Sequence, residues 1–324
     1  MAIDSTTGRE GDAATFLTAY LRAHGFATEE LAVDGDRRNV FAALGTPRVV
    51  LTTHMDCVPP FIAPSESDTH HFGRGSCDAK GPMAAMLSAG EAMREAGVRD
   101  FGFLFVIGEE TDSSGAKHFA QVGKGRGIRY FINGEPTGNQ LMRGHKGVMA
   151  MVAERTGVPG HSAYPELFDS ALHPLLHELD TLLHTALPSD SNYGTSTVNV
   201  GRIEGGLAAN VVAEQVRAEI MVRLARPLAE VKPLVLKAFS AHTRVTVRSE
   251  SDPAEIFVPS GYESDIVRFG SDVPHLRPLA QTLLVGPGSI HDAHTAGEKL
   301  AKDEQLAAVS LYRELTERLL KEDA

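Results

Sequence analysis

The chain has 324 residues, enough for about two domains that each bury a core of their own. A net charge of −11 and an isoelectric point near 5.7 argue against a nucleic-acid or anionic-membrane partner. Two cysteines cannot build a disulfide framework, which suits a reducing cytoplasm and a soluble enzyme or small-molecule binder.

In chain order, MAIDSTTGREGDAA lacks the basic and apolar regions of a secretory signal. DAATFLTAYLRAHG then places Phe16, Leu17, Tyr20 and Leu21 at helical spacing, with Gly25 as a stop. RVVLTT (48–53) is a β-branched apolar run of the kind buried on both faces of a sheet. GPMAAMLSAGEAMREAG reads as a helix with Pro82 in its first turn and Gly97 past its end. FGFLFVI (101–107) is a second buried strand, AKHFAQV a short helix and IRYFIN (128–133) a third strand. All these apolar runs fall far short of the roughly 20 residues a membrane helix needs. Buried strands alternating with helices predict a mostly parallel, three-layer α/β domain.

From about residue 147 the texture changes. VMAMVAER reads as a strand, and 170–187 as a helix with Leu172, Leu176, Leu179 and Leu183 on one side. TSTVNVGRI and VVAEQVRAEIMVRL alternate in period two, the second with Val216, Ala218, Ile220 and Val222 sharing a face. LAEVKPLVLKAF reads as a helix and TRVTVR as a strand, completing the βαββαβ order of a ferredoxin-like module. LAQTLLVGPGS and the amphipathic DEQLAAVSLYRELTERLL suit a return to the first sheet. The expected division is therefore 1–146 and 251–324 for an α/β catalytic domain, with 147–250 inserted into it.

Sites in such sheets form beyond the carboxyl ends of the strands, and several apolar runs here end in metal-capable residues. VVLTTHMD ends in His54 and Asp56, FLFVIGEE in Glu109 and Glu110, and YFINGEP in Glu135. TLLVGPGSIHDAHTAGE adds His291, Asp292 and His294, and GRGSCDAKG adds Asp78 just before a helix. Two imidazoles and three or four carboxylates suit a pair of borderline divalent ions such as zinc, cobalt or manganese. In the H-x-D spacing one ring nitrogen of His54 would bind metal while Asp56 accepts the other N–H and fixes the tautomer. Of the adjacent Glu109 and Glu110, one can ligate while its neighbour stays free as a general base.

Other features have plainer explanations. HPLLHE sets His173 and His177 at i, i+4, but Glu178 follows the second histidine, so this is not H-E-x-x-H; with His184 they form a surface stripe. Cys57 and Cys77 each abut an aspartate already given a role and read as small buried filler. GKGRG (123–127) lacks P-loop spacing and reads as a turn.

The segments HMDCVP, GRGSCDAKGPMAAML, GEETDSSGA, GEPT, GHSAYPE and GPGSIHDAHTAGE, in this order, resemble the dinuclear zinc exopeptidase and deacylase family that includes acetylornithine deacetylase, succinyl-diaminopimelate desuccinylase, aminoacylase and carboxypeptidase G. The resemblance implies that His54, Asp78 and Glu135 bind one metal and Asp78, Glu110 and His294 the other, with Asp78 bridging. His294 rather than His291 fits the family's A-H-x-x-x-E pattern. It implies that Glu109 is the base that activates a hydroxide bridging two ions, most often zinc, and then protonates the leaving amine. The insert becomes a lid and dimerisation module whose His161, from the partner subunit, stabilises the oxyanion, while Asn210 and Arg223 face a substrate carboxylate. Hydrolysis of an N-acyl, most simply N-acetyl, amino acid follows, with a dipeptidase or carboxypeptidase as the nearest rival and a non-catalytic metal-binding relative behind both. GPGSIHDAHTAGE lies nearest the acetylornithine deacetylase branch, which would place a cytoplasmic homodimer in arginine biosynthesis.

Overall fold

The computed structural model describes residues 1–322, whose contacts divide into two units. The first comprises Met1–Arg143, Glu255–Asp265 and the chain from Ser271 onward; the second comprises Gly144–Ala254 and Ile266–Gly270.

In the first unit, helix α1 (Gly11–Ala23) leads into a hairpin of β1 (Ala27–Asp34) and β2 (Arg37–Leu44). Then follow β3 (Val49–His54), α2 (Lys80–Glu95), β4 (Phe101–Val106), α3 (Ser114–Val122) and β5 (Tyr130–Asn133). The second unit contributes β6 (Gly147–Thr156), α4 (Leu172–Leu183), β7 (Thr197–Gly205), β8 (Gln215–Leu224), α5 (Leu228–Leu236) and β9 (Arg244–Ser251). Back in the first unit come β10 (Gln281–Leu284) and the long α6 (Lys302–Glu322).

The six-stranded sheet of the first unit runs β1-β2-β4-β3-β5-β10. Its β4, β3, β5 and β10 are mutually parallel, while β2 joins β4 antiparallel and closes the edge with the hairpin. Successive residues of the central strands enter opposite cores. Val49, Leu51, Phe101, Phe103 and Phe105 pack with α1, α2 and α6, whereas Val50, Leu104 and Val106 pack with Ala116 and Phe119 of α3. Cover on both faces is why these strands read as unbroken apolar runs. The architecture is the expected three-layer α/β type.

The hairpin was not anticipated. β1 is largely solvated, with Leu31 its one buried residue, so it offers no apolar run to detect. On α1 the buried set is Ala13, Ala14, Leu17, Thr18 and Leu21; Phe16, expected inward, is 54% exposed.

The second unit is an antiparallel sheet in the order β7-β8-β6-β9, the ferredoxin-like arrangement, with a separate core. Val216, Ala218, Ile220 and Val222 all face that core. On α4 the expected leucine stripe holds at Leu179, with Leu172 packed against the core, but its other two positions each shift by one. Leu175, Leu179 and Leu182 are buried, while Leu176 and Leu183 stand 47% and 53% exposed. His173, His177 and His184 are exposed, and Cys57 and Cys77 are buried free thiols. Among the described residues, no helix is long and apolar enough to cross a membrane.

Candidate metal centre

The four parallel strands end on one side of the sheet, and the loops leaving them carry the candidate ligands. His54 is the last residue of β3, Glu109 and Glu110 follow β4, Glu135 follows β5, and His294 lies beyond β10. Asp78 comes from the turn before α2. All belong to the first unit, and the fold brings them together.

Asp78 sits between the two imidazoles. Its Oδ1 lies 3.0 Å from His54 Nε2, and its Oδ2 lies 3.2 Å from His294 Nε2. Glu110 Oε2 is 3.1 Å from the same His294 nitrogen, and Glu135 Oε2 is 4.0 Å from His54 Nε2. Ligand atoms of His54, Asp78 and Glu110 all lie within 4.8 Å of one another. Glu109 differs from its neighbour: its carboxyl makes no hydrogen bond among the described residues, although its backbone N–H is held. His294 is displayed with φ 63°, a left-handed conformation uncommon outside glycine and concentrated at functional sites. His291 is exposed and is not part of the cluster.

Asp56 acts through different atoms from those the H-x-D spacing suggested. The close acceptor for His54 Nδ1 is the backbone carbonyl of Asp56 at 2.9 Å; the carboxylate is at 3.6 Å. That carboxylate instead receives the N–H groups of Glu109 (3.2 Å) and Glu110 (3.3 Å) and the hydroxyl of Thr7 (2.9 Å). It therefore fixes both ends of the problem, His54 through its backbone and the paired glutamates through its side chain.

The charges are crowded and mostly dry. Burial, reinforced by the charge of Glu135, holds the Glu109 carboxyl well above the ordinary range. Burial raises Glu135 likewise, and its Oε1 is buried with no partner. Burial opposes charge on Asp78, but hydrogen bonds from His294 and His54 keep it below the usual carboxylate range. Bonds to Asp78 and Glu110 raise His294 to about 10. An orphaned buried carboxylate oxygen beside two imidazoles and further acids is a donor set that divalent cations satisfy. The residues therefore fit a pair of borderline ions.

Three neighbours gave no signal in the sequence. Thr7 caps Asp56. Asn39, fully buried in β2, accepts the N–H of Ile107 (3.2 Å) and donates to the carbonyl of Gly115 (2.8 Å), pinning both ends of the Glu109–Glu110 loop. Asp272 is buried with an unpartnered Oδ1, and burial raises its carboxyl to about 6. A threonine, an asparagine and a lone aspartate match no spacing rule.

His161, Asn210 and Arg223 lie in the second unit. His161 is exposed on a segment bridged to Val211, and Ser162 N–H donates to the Asn210 carbonyl at 3.1 Å. Arg223, near the end of β8, has Lys146 and Arg268 for electrostatic company; burial, followed by the charges of Arg268 and Arg223, lowers Lys146. Lys146 and Arg268 likewise carry no signal in the sequence.

Residues 50–318 match the family model for peptidase family M20/M25/M40. The chain is 36% identical over 326 residues to a peptidase M20 domain-containing protein of Schizosaccharomyces pombe, covering 97% of this chain and 81% of that one. It is also 36% identical over 364 residues to a probable carboxypeptidase of Aspergillus terreus, covering 97% and 83%. Among solved structures, it resembles the di-peptidase Dug1p of Saccharomyces cerevisiae with a TM-score of 0.80 at 15% identity, covering 96% and 91% of the two chains. A metallo-carboxypeptidase of Sulfolobus solfataricus gives 0.78 at 14% identity, covering 98% and 96%.

Proposed function

The chain belongs to peptidase family M20/M25/M40 and is a metal-dependent hydrolase of amide bonds, and from that premise we propose that it releases an amino acid with a free α-carboxylate from a short peptide or an N-acylated derivative. The observation that carries this reading is Asp78, with one carboxylate oxygen turned to each of two imidazoles. His54, Asp78 and Glu135 would hold one ion and Asp78, Glu110 and His294 the other, zinc being favoured and cobalt or manganese also compatible. When bound, the pair supplies the Lewis acidity that makes a water acidic and polarises the amide carbonyl.

Glu109 is the proton carrier. It stands beside the ligands with its carboxyl uncommitted, and burial makes it a stronger base than a solvated glutamate. It takes a proton from the attacking water and delivers it to the departing amine nitrogen. Asp56 keeps Glu109 and Glu110 in register by gripping both backbone N–H groups.

Arg223 and Asn210 are assigned to the substrate's α-carboxylate. A guanidinium can bond both oxygens at once, and the neighbouring Lys146 and Arg268 make this end of the second unit attractive to anions. His161 is assigned to the developing oxyanion, supplied by the partner in a homodimer built through the second unit. The exposed Leu176 and Leu183 of α4 and Ile203 of β7 support that surface, and light scattering of the purified chain at micromolar concentration tests it.

Cleavage at a peptide C-terminus is favoured by the carboxypeptidase names of relatives 34–36% identical to this chain. Deacylation, and with it a place in arginine biosynthesis, is favoured by the segment GPGSIHDAHTAGE. A panel of dipeptides, tripeptides and acetyl-, succinyl- and formyl-amino acids, with and without chelator, separates the two. Chelator-resistant turnover, or none on any member with zinc, cobalt or manganese supplied, would remove the proposal.

A further inference from the structure

The ligands differ in what supports them. His54 terminates a ladder-bonded strand, and Glu135 follows another within two residues. Asp78 and His294 come from irregular loops far apart in the chain, and need support from outside their own segments.

One buried ion pair lies between those loops. Glu298, four residues after His294, is 1% exposed, and Arg74, four residues before Asp78, is 4% exposed. Arg74 Nη1 donates to Glu298 Oε2 at 2.6 Å. The other oxygen, Oε1, accepts the backbone N–H of both Cys77 and Asp78 at 3.2 Å. Arg74 also donates to the carbonyls of Thr295 (3.2 Å) and Pro60 (3.4 Å), and Gly73 N–H reaches the carbonyl of Glu298 at 3.1 Å.

We propose that Glu298, held by Arg74, is a positioning residue that sets the Asp78 carboxylate so that it can serve two ions at once. The proposal rests on the reading of Asp78 as the shared ligand. A buried ion pair is by itself a poor source of stability, because desolvation cancels most of the attraction. Its value here is directional. One carboxylate oxygen accepting two successive N–H groups fixes the orientation of the peptide from which the Asp78 side chain departs. The same residue is tied through its own backbone to the loop that carries His294. Asp78 has little latitude, since each of its oxygens must meet a different imidazole. A first ion can follow a displaced carboxylate; a second cannot. Groups that orient ligands from behind typically account for 10–100-fold in metal affinity.

The test uses the full chain stripped of metal, titrated with Co(II) and followed by visible absorption and calorimetry. Wild type should bind two ions per chain. Glu298→Gln should bind the first nearly normally and the second 10–100-fold more weakly. The double variant Arg74→Gln/Glu298→Gln, which leaves no unpaired guanidinium behind, guards against loss of folding and should show the same selective defect. Thermal unfolding of the metal-free proteins provides the structural control. If either folded variant binds both ions within twofold of wild type, Glu298 only braces the loops and the proposal fails, whatever its melting temperature. If wild type itself binds fewer than two ions, the two-metal reading falls first and this inference goes with it.

Discussion

At the level of single side chains, adjacent Glu109 and Glu110 differ in where their carboxyls go, and that difference is testable. Glu110 meets His294, whereas Glu109 makes no side-chain hydrogen bond among the described residues. Glu109→Gln should lower kcat by about 10²–10⁴-fold, the usual contribution of a positioned proton carrier, with two ions still bound. Glu110→Gln should lose metal instead. Elemental analysis beside steady-state rates decides, and metal loss from the Glu109 variant would exchange the two roles. The imidazoles make a second prediction. Metal-free His294 titrates at about 10, so at pH 8 it carries a proton that an incoming ion must displace. Metal binding should therefore release protons, with apparent affinity rising as pH increases toward 10. Calorimetry in buffers of different ionisation enthalpy measures this, and no proton release at pH 8 would contradict it. The strand-end ligands were legible because an apolar run gives no structural reason to finish in an imidazole or a carboxylate. Thr7, Asn39, Lys146 and Arg268 were not, because their positions follow from tertiary contacts alone.

Helix α3 shows how closely an element is fitted to the site it supports. It starts one residue before Gly115, where an added Cβ would lie 2.5 Å from both Asn39 Oδ1 and the backbone nitrogen of Ile107. Those are the atoms that pin the loop of Glu109 and Glu110. Gly115→Ala should push α3 away from β4 and cost about 1–3 kcal/mol, the usual range for overpacking. Denaturant titration reads the loss, which should come with reduced turnover; unchanged stability would mean that the loop yields freely. Elements were legible in proportion to their burial. β3 and β4 declared themselves because both faces are covered, and β8 because only one is. β1 was silent because solvent takes most of its side chains. On α4, six leucines in twelve residues populate two adjoining stripes, and spacing cannot choose which one meets the sheet.

Over the whole chain, the candidate ligands and the proposed substrate-carboxylate residues are divided between two units, each with a core of its own. The division has a thermodynamic consequence. All five proposed ligands belong to the first unit, so metal binding adds stability there in proportion to the logarithm of free ion over its dissociation constant, about 2.7 kcal/mol per site at a hundredfold excess. Removing the ions leaves buried acids facing one another, with Glu109 and Glu135 pushed toward their neutral forms. Chelation should therefore loosen the first unit selectively. In hydrogen–deuterium exchange, the amides of Val49–His54 and Phe101–Val106 should lose protection when metal is withdrawn. Those of Gly147–Thr156 and Gln215–Leu224, in the sheet of the second unit, should exchange as before. Equal loss in both sheets would mean that the two units unfold as one cooperative body. No loss in β3 and β4 would mean that the ions are not bound where these strands end, and the assignment of His54 would have to be abandoned.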